Sequence, residues 1–195
     1  MAINHPDTLV PSPDAPDRAP TISVSKIEAA RRQLGTALDL WFSDGDPVSV
    51  HTLAFAAYDI IHAVSKKRNP NRRDLLFDSR RIKDEGRSEW SILLKTPSGF
   101  FKHARNDPEG TIDFAPELSE LLMIFSIAGL ASCQIDPQPI ESAFLLYHGF
   151  QRPDFFNEEG RKFYIDSISA EDLEDIQRLP KRVFLDNFLK GRSSR

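Results

Sequence analysis

Residues 25–68 read SKIEAARRQLGTALDLWFSDGDPVSVHTLAFAAYDIIHAVSKKR, and their punctuation decides the fold. Ser25 followed three residues later by Glu28 is a capping box, in which each side chain can satisfy a free backbone NH at a helix start. Ile27, Ala30, Leu34, Leu38, Trp41 and Phe42 then recur at helical spacing until Asp44-Gly45 ends the run, giving a helix over 26–43. Asp46 and Pro47 open a second helix, since Asp caps well and proline at the first position lacks only an NH that would go unpaired. Val50, Leu53, Ala54, Ala57, Ile60, Ile61 and Val64 line one of its faces, and Lys66, Lys67 and Arg68 close it where the helix dipole favours cations. Joined by a link of about four residues, the two helices must fold back as an antiparallel hairpin.

The rest of the chain carries the same kind of signal. Ser88 is positioned to cap a short helix through Leu94, and Thr96-Pro97 to start another over 97–104. Ala115-Pro116 precedes ELSELLMIFSIAGLASC, a run apolar on nearly every face and therefore expected at the centre, with helices on several sides. Gln138-Pro139 precedes IESAFLLYHGF; Ser169 with Asp172 caps a helix to about Gln177, and Pro180 starts a last one ending near Lys190. Residues 69–87 read as a charged connection with a short helix around Leu75 to Phe77, and residues 152–168 as irregular. No alternating strand pattern and no internal repeat is present. The fold class is therefore all-α: a helical bundle of about four main helices with short accessory helices.

Composition bounds the rest. A chain of 195 residues with 40% hydrophobic and 28% charged residues fits one globular domain, here 22–191, between a proline-rich tail over 1–21, expected to be disordered, and a flexible end over 192–195. The start lacks the charged and apolar regions of a secretory signal. The longest apolar run, 121–131, is too short for a bilayer. The lone Cys133 lies in an apolar run with no basic neighbour, which fits a small buried hydrophobe in a reducing cytoplasm.

Charge is uneven along the chain. Residues 66–87 hold nine Lys or Arg against four Asp or Glu, whereas 106–151 hold seven acidic residues and no Lys or Arg. Arg68, Arg72, Arg73, Arg80, Arg81 and Lys83 are the candidates for contact with an anion such as nucleic acid. The pI near 5.7 favours the alternative, a solvated loop balancing the acidic stretch.

Candidate chemistry is sparse. In GFFKHARNDPEG, residues 99–110, Lys102, His103 and Arg105 gather at a helix end before a turn. They can bind phosphate, and His103 can serve as a general acid or base with Lys102 beside it. On the second helix His51, Phe55, Tyr58 and His62 share one face, read as a partly buried seam with hydrogen-bonded polar tips. Asp59 and His62 form a single D-x-x-H, short of the repeated pairs a diiron bundle uses, so no metal or cofactor is expected. Nucleophile-elbow, phosphate-loop and dinucleotide motifs are missing from the sequence.

The hairpin KIEAARRQLGTALDLWFSDGDPVSVHTLAFAAYDII and the later FFKHARNDP resemble a family of uncharacterised bacterial proteins with an F-x-KHA-x-x-DP segment, over about residues 22–130. That resemblance implies a compact helical domain and carries no activity with it. The architecture is also similar to HEPN domains, some of which are RNases. Those enzymes place an Arg five to seven positions before a His, and none of His5, His51, His62, His103 and His148 has one.

The function expected from the sequence is a non-enzymatic cytoplasmic interaction module that pairs with itself as a homodimer or with another protein. The aromatic face of the second helix and the phenylalanines of FQRPDFFNEEGRKFY, residues 150–164, motivate it. The alternative is an RNA-acting or phosphate-binding protein built on the Lys102/His103/Arg105 cluster and the basic 66–87 stretch. The two part on a salt titration. The expected outcome is no micromolar binding of a generic RNA even at low salt, with replacement of Arg72, Arg73, Arg80 and Arg81 by Gln changing stability only slightly. Binding that weakens steeply with salt and disappears in the fourfold variant supports the alternative, because each neutralised phosphate releases counterion.

Overall fold

The structure, a computed structural model, describes residues 20–71, 84–103, 107–153 and 168–193, with residues 158, 162 and 165 between the last two. Arg72, Arg73, Arg80, Arg81, Lys83, Arg105, the tail over 1–19 and the short helix expected around Leu75 lie outside the described residues. Within them the protein is all-helical: α1 (Lys26–Phe42), α2 (Pro47–Arg68), α3 (Asp84–Lys102), α4 (Leu118–Ser132), α5 (Pro139–Gln151), α6 (Ala170–Arg178) and α7 (Lys181–Ser193), with no strand among the described residues.

Local chemistry sets most of the helix ends. Ser25 Oγ accepts from Glu28 N at 3.2 Å, although the Glu28 carboxylate turns to Arg32 instead of completing the box. Asp46 Oδ2 accepts from Ser49 N at 2.8 Å, and hydrogen bonding from the Ser49 side chain and then its backbone NH holds the Asp46 carboxyl below its ordinary value. Glu141 Oε2 accepts from Gln138 N at 2.7 Å and Ser169 Oγ from Asp172 N at 3.0 Å. The α1–α2 turn is a Schellman motif: Asp44 takes a left-handed φ of 51° and Gly45 N donates to Leu40 O at 2.8 Å. Here the left-handed residue is the aspartate, and Gly45 supplies room, since a Cβ there would lie 3.1 Å from Leu40. Gln134, with φ 59°, ends α4 the same way, Ile135 N donating to Leu130 O at 3.1 Å.

The bundle is organised by α2, which packs against α1, α3 and α4. His51 meets Ser119 (3.2 Å) and Ser65 meets Ser132 (2.8 Å), 68 and 67 residues apart in the chain, so α2 and α4 run parallel. The buried positions of α4 include Ser119, Ser126, Gly129 and Ser132, and those of α2 include Ala54 and Ala57, sizes that permit close approach. The α4 run is thus not the central helix its composition suggests: α2 has neighbours on three sides, and Leu121, Ile124 and Phe125 of α4 stay partly exposed. At 22 residues α2 is long and apolar enough by composition to cross a bilayer, yet its Val50, Ala54, Tyr58 and Ile61 are taken up by this core.

A second correction concerns α3, which the sequence divides at Pro97 but which runs unbroken from Asp84. Pro97 removes one backbone hydrogen bond and crowds the preceding turn. However, buried Leu94, Pro97 and Ser98 and half-buried Phe101 fall at helical spacing across it, so packing on α2 holds one helix where local chemistry favours two. Ser88 accordingly sits inside the first turns rather than at a cap. The last helix passes Lys190 to Ser193, so 192 and 193 are helical, with Lys190 and Arg192 complementing the dipole at its end. Of the irregular stretch expected over 152–168, only scattered residues are described.

The core joins α1, α2, α4 and α5 through Leu34, Leu38, Phe42, Tyr58, Leu122, Met123 and Phe144, with Phe184 and Leu185 of α7 sealing one end. Phe144 is fully buried and sits edge-on to Trp41, 4.9 Å between centroids. Replacing it by Ala should cost about 3–5 kcal/mol of unfolding free energy, as expected for an emptied aromatic core site, read by denaturant titration.

Candidate functional site

The side chains with unusual surroundings gather at the end of the bundle where α1 finishes, α4 begins and α7 begins. Trp41, in the last turn of α1, donates its indole NH to Glu120 Oε1 at 3.0 Å. Its ring is stacked with His148 at 5.4 Å and edge-on to Phe42, Phe144 and Tyr147 at 5.0, 4.9 and 5.6 Å. On the remaining side Lys181 Nζ lies 4.4 Å from the Trp41 ring and 2.6 Å from Asp44 Oδ1. The left-handed turn at Asp44 therefore has a second consequence, because it aims that carboxylate at the first residue of α7.

Electrostatics here depart from the ordinary. Burial raises the pKa of Glu120, opposed by the Trp41 NH and by the charges of Lys181 and Arg152. Burial also lowers His148, from 6.5 to about 4, helped by Arg152 and Lys181. His148 Nε2 stands 3.5 Å from Glu120 Oε2 without a hydrogen bond, so at neutral pH this is a contact between a neutral ring and a carboxyl group rather than an ion pair. Two clefts open beside Glu120. One, of about 250 Å³, is lined by Trp41, Asp44, Glu117, Glu120 and Lys181; the other, of about 160 Å³, by Glu120, Leu121, Ile124, His148 and Arg152.

The residues singled out by sequence lie elsewhere. Lys102 and His103 are exposed at the end of α3, where Lys102 Nζ sits 5.2 Å over the Phe55 ring. His51 is fully buried, its ring stacked on Phe55 and edge-on to Phe101 and Phe114. Tyr58 is also buried, with its hydroxyl 3.4 Å from His62 Nδ1. The shared face of α2 is therefore a buried seam in which His51 Nδ1 and the Tyr58 hydroxyl have partners but His51 Nε2 has none among the described residues, and His51 and Tyr58 are closed to a partner protein. Asp59 is exposed, and no cluster able to hold a metal ion occurs among the described residues. Phe150, expected at the surface, is buried against Phe184, while Phe155, Phe156 and Phe163 lie outside the described residues.

Sequence reasoning missed the Trp41–Glu120–His148–Lys181 group because its members come from four helices, 140 positions apart at the extremes. The available signal was Glu120, the one charged residue in the largely apolar run over 118–132. No protein-family model, curated protein or solved structure matches the chain, so its function is argued from this geometry.

An imidazole titrating at about 4 in the native state and near 6.5 when unfolded takes up its proton more readily in the unfolded chain throughout that window. Stability present above pH 6.5 should therefore fall as pH drops towards 4, by roughly 3 kcal/mol for this group. Glu120, whose pKa is raised, acts in the opposite sense, losing stability as pH rises from 4.5 through its raised value. Unfolding free energies of the wild type and His148→Gln across pH 4–7 separate the two; His148→Gln should show a distinctly smaller acid-side loss, and parallel curves would refute the assignment.

Proposed function

We propose that this protein is a non-enzymatic helical interaction module whose docking surface is the cleft-bearing face around Glu120. One observation carries this reading: the smaller cleft beside Glu120 is lined by Leu121 and Ile124 and so runs into the outer side of α4. There Leu121, Ile124 and Phe125 are partly exposed and Ala128 is exposed, at the i, i+3, i+4, i+7 spacing of a continuous apolar stripe. A rigid aromatic pocket beside an apolar helix stripe is the arrangement by which helical domains seat an anchoring side chain of a protein partner. Catalysis fits the same groups less well. A neutral imidazole titrating near 4 is a weak base at pH 7, and His148 is wedged between Trp41, Phe144 and Tyr147.

A second copy of the chain is the partner proposed first, in the cytoplasm of a bacterial cell. Sedimentation velocity over a hundredfold concentration range should then show a concentration-dependent dimer. Leu121→Glu with Ile124→Glu should remain monomeric while keeping its helical circular dichroism, because both positions are already partly in water. A wild type that stays monomeric at about 0.1 mM removes self-association.

A further inference from the structure

We propose that the larger cleft is a recognition site for the ammonium group of a lysine on a protein partner, and that Lys181 is its internal occupant, which the partner's lysine must displace. This rests on the interaction-module reading and gives its partner a chemistry. The cleft presents what an alkylammonium needs: the Trp41 face to cover the methylenes and attract the charge, and carboxyl groups to meet its NH donors. Its lining carries three carboxyl groups, from Asp44, Glu117 and Glu120, against the single ammonium of Lys181. Lys181 already shows the binding mode, with Nζ 4.4 Å from the ring and 2.6 Å from Asp44 Oδ1.

That occupant leaves the site only partly satisfied. Lys181 is paired to Asp44, the carboxylate on the exposed rim, whose side chain is 75% accessible. The inner carboxyl, Glu120, accepts its hydrogen bond from the Trp41 indole, and its burial remains incompletely offset by the cations around it. A partner's ammonium that takes the place of Lys181 and seats deeper supplies the charge that Glu120 lacks. Lys181 is also easily moved. It is the first residue of α7, and its neighbour Arg182 is anchored separately, 3.1 Å from Asp39 and 3.3 Å from Ser43 Oγ, so the lysine side chain can leave without unseating the helix.

The test uses the full chain and an end-blocked tetralysine peptide, followed through the NMR shift of the Trp41 indole NH, assigned with Trp41→Phe. Weak binding is expected for the wild type. Lys181→Ala should bind about tenfold more tightly, the size of one partly desolvated cation–aromatic contact. Adding Glu120→Gln should remove that gain, and the Nε-acetylated peptide should not move the signal. The proposal is overturned if tetralysine leaves the indole unmoved in both proteins, if Lys181→Ala binds no better than wild type, or if the acetylated peptide binds equally. Should Lys181→Ala fail to fold, Lys181→Gln replaces it, and equal tetralysine binding by wild type and Glu120→Gln is enough to overturn the proposal. Because sedimentation reads the α4 stripe and the indole reads the cleft, loss of dimerisation and loss of lysine binding are distinguished.

Discussion

The contact on which the rest of this fold depends is the parallel packing of α2 on α4. Parallel neighbours cannot be joined by a short turn, so α3 and its flanking segments must carry the chain back to the end where α2 began. The pairs His51–Ser119 and Ser65–Ser132 fix the register at both ends of the seam. Between them, the buried positions of α4 include the small residues Ser126 and Gly129, sizes that permit close approach of the two helices. With α2 also taken by α1 on one side and α3 on another, α4 is left with an outer stripe that the described residues do not cover.

That register brings Glu120, in the first turn of α4, beside Trp41 at the end of α1, and it brings α5 back so that His148 stacks on the same indole. The antiparallel return of α5 is secured at its start by Glu141. This carboxyl is fully buried, accepts from Gln138 N and lies 3.8 Å from Arg31, with its pKa raised by burial. At the other end Gln151 and Gln177 exchange side-chain-to-backbone bonds, 2.9 Å to Gln177 O and 2.7 Å to Phe150 O, which place α6 and so deliver Lys181 to Trp41. The polar groups at the cleft are thus positioned by contacts made well away from it, and the aromatic rings around Trp41 leave little room for them to shift.

Helix ends were legible in the sequence where a cap or a proline made the choice locally. Asp46-Pro47, Gln138-Pro139, Ser169 and the Asp44-Gly45 stop all lie within a residue or two of the observed boundaries, because one side chain meeting one backbone NH is an interaction between near neighbours. Proline misled only at Pro97, where the penalty is local but the compensation, burial of Leu94, Pro97 and Ser98 on α2, is not. The histidines were also misleading guides. His103 stands out in its segment yet lies exposed at a helix end, whereas His148 looks unremarkable on α5 and has its pKa lowered by burial to about 4.

The sequence by itself determined the all-α class, the α1–α2 hairpin and the composition of each apolar face, since all three follow from periodicity and capping within a span of a few turns. The tertiary structure alone decided that α2 and not α4 is central, that α3 is one helix, and that Trp41, Glu120, His148 and Lys181 meet. The physical reason is the same each time. Burial and the accompanying loss of solvation depend on what packs from elsewhere in the chain, and a carboxyl group acquires a raised pKa or a partner only when distant helices have excluded water around it.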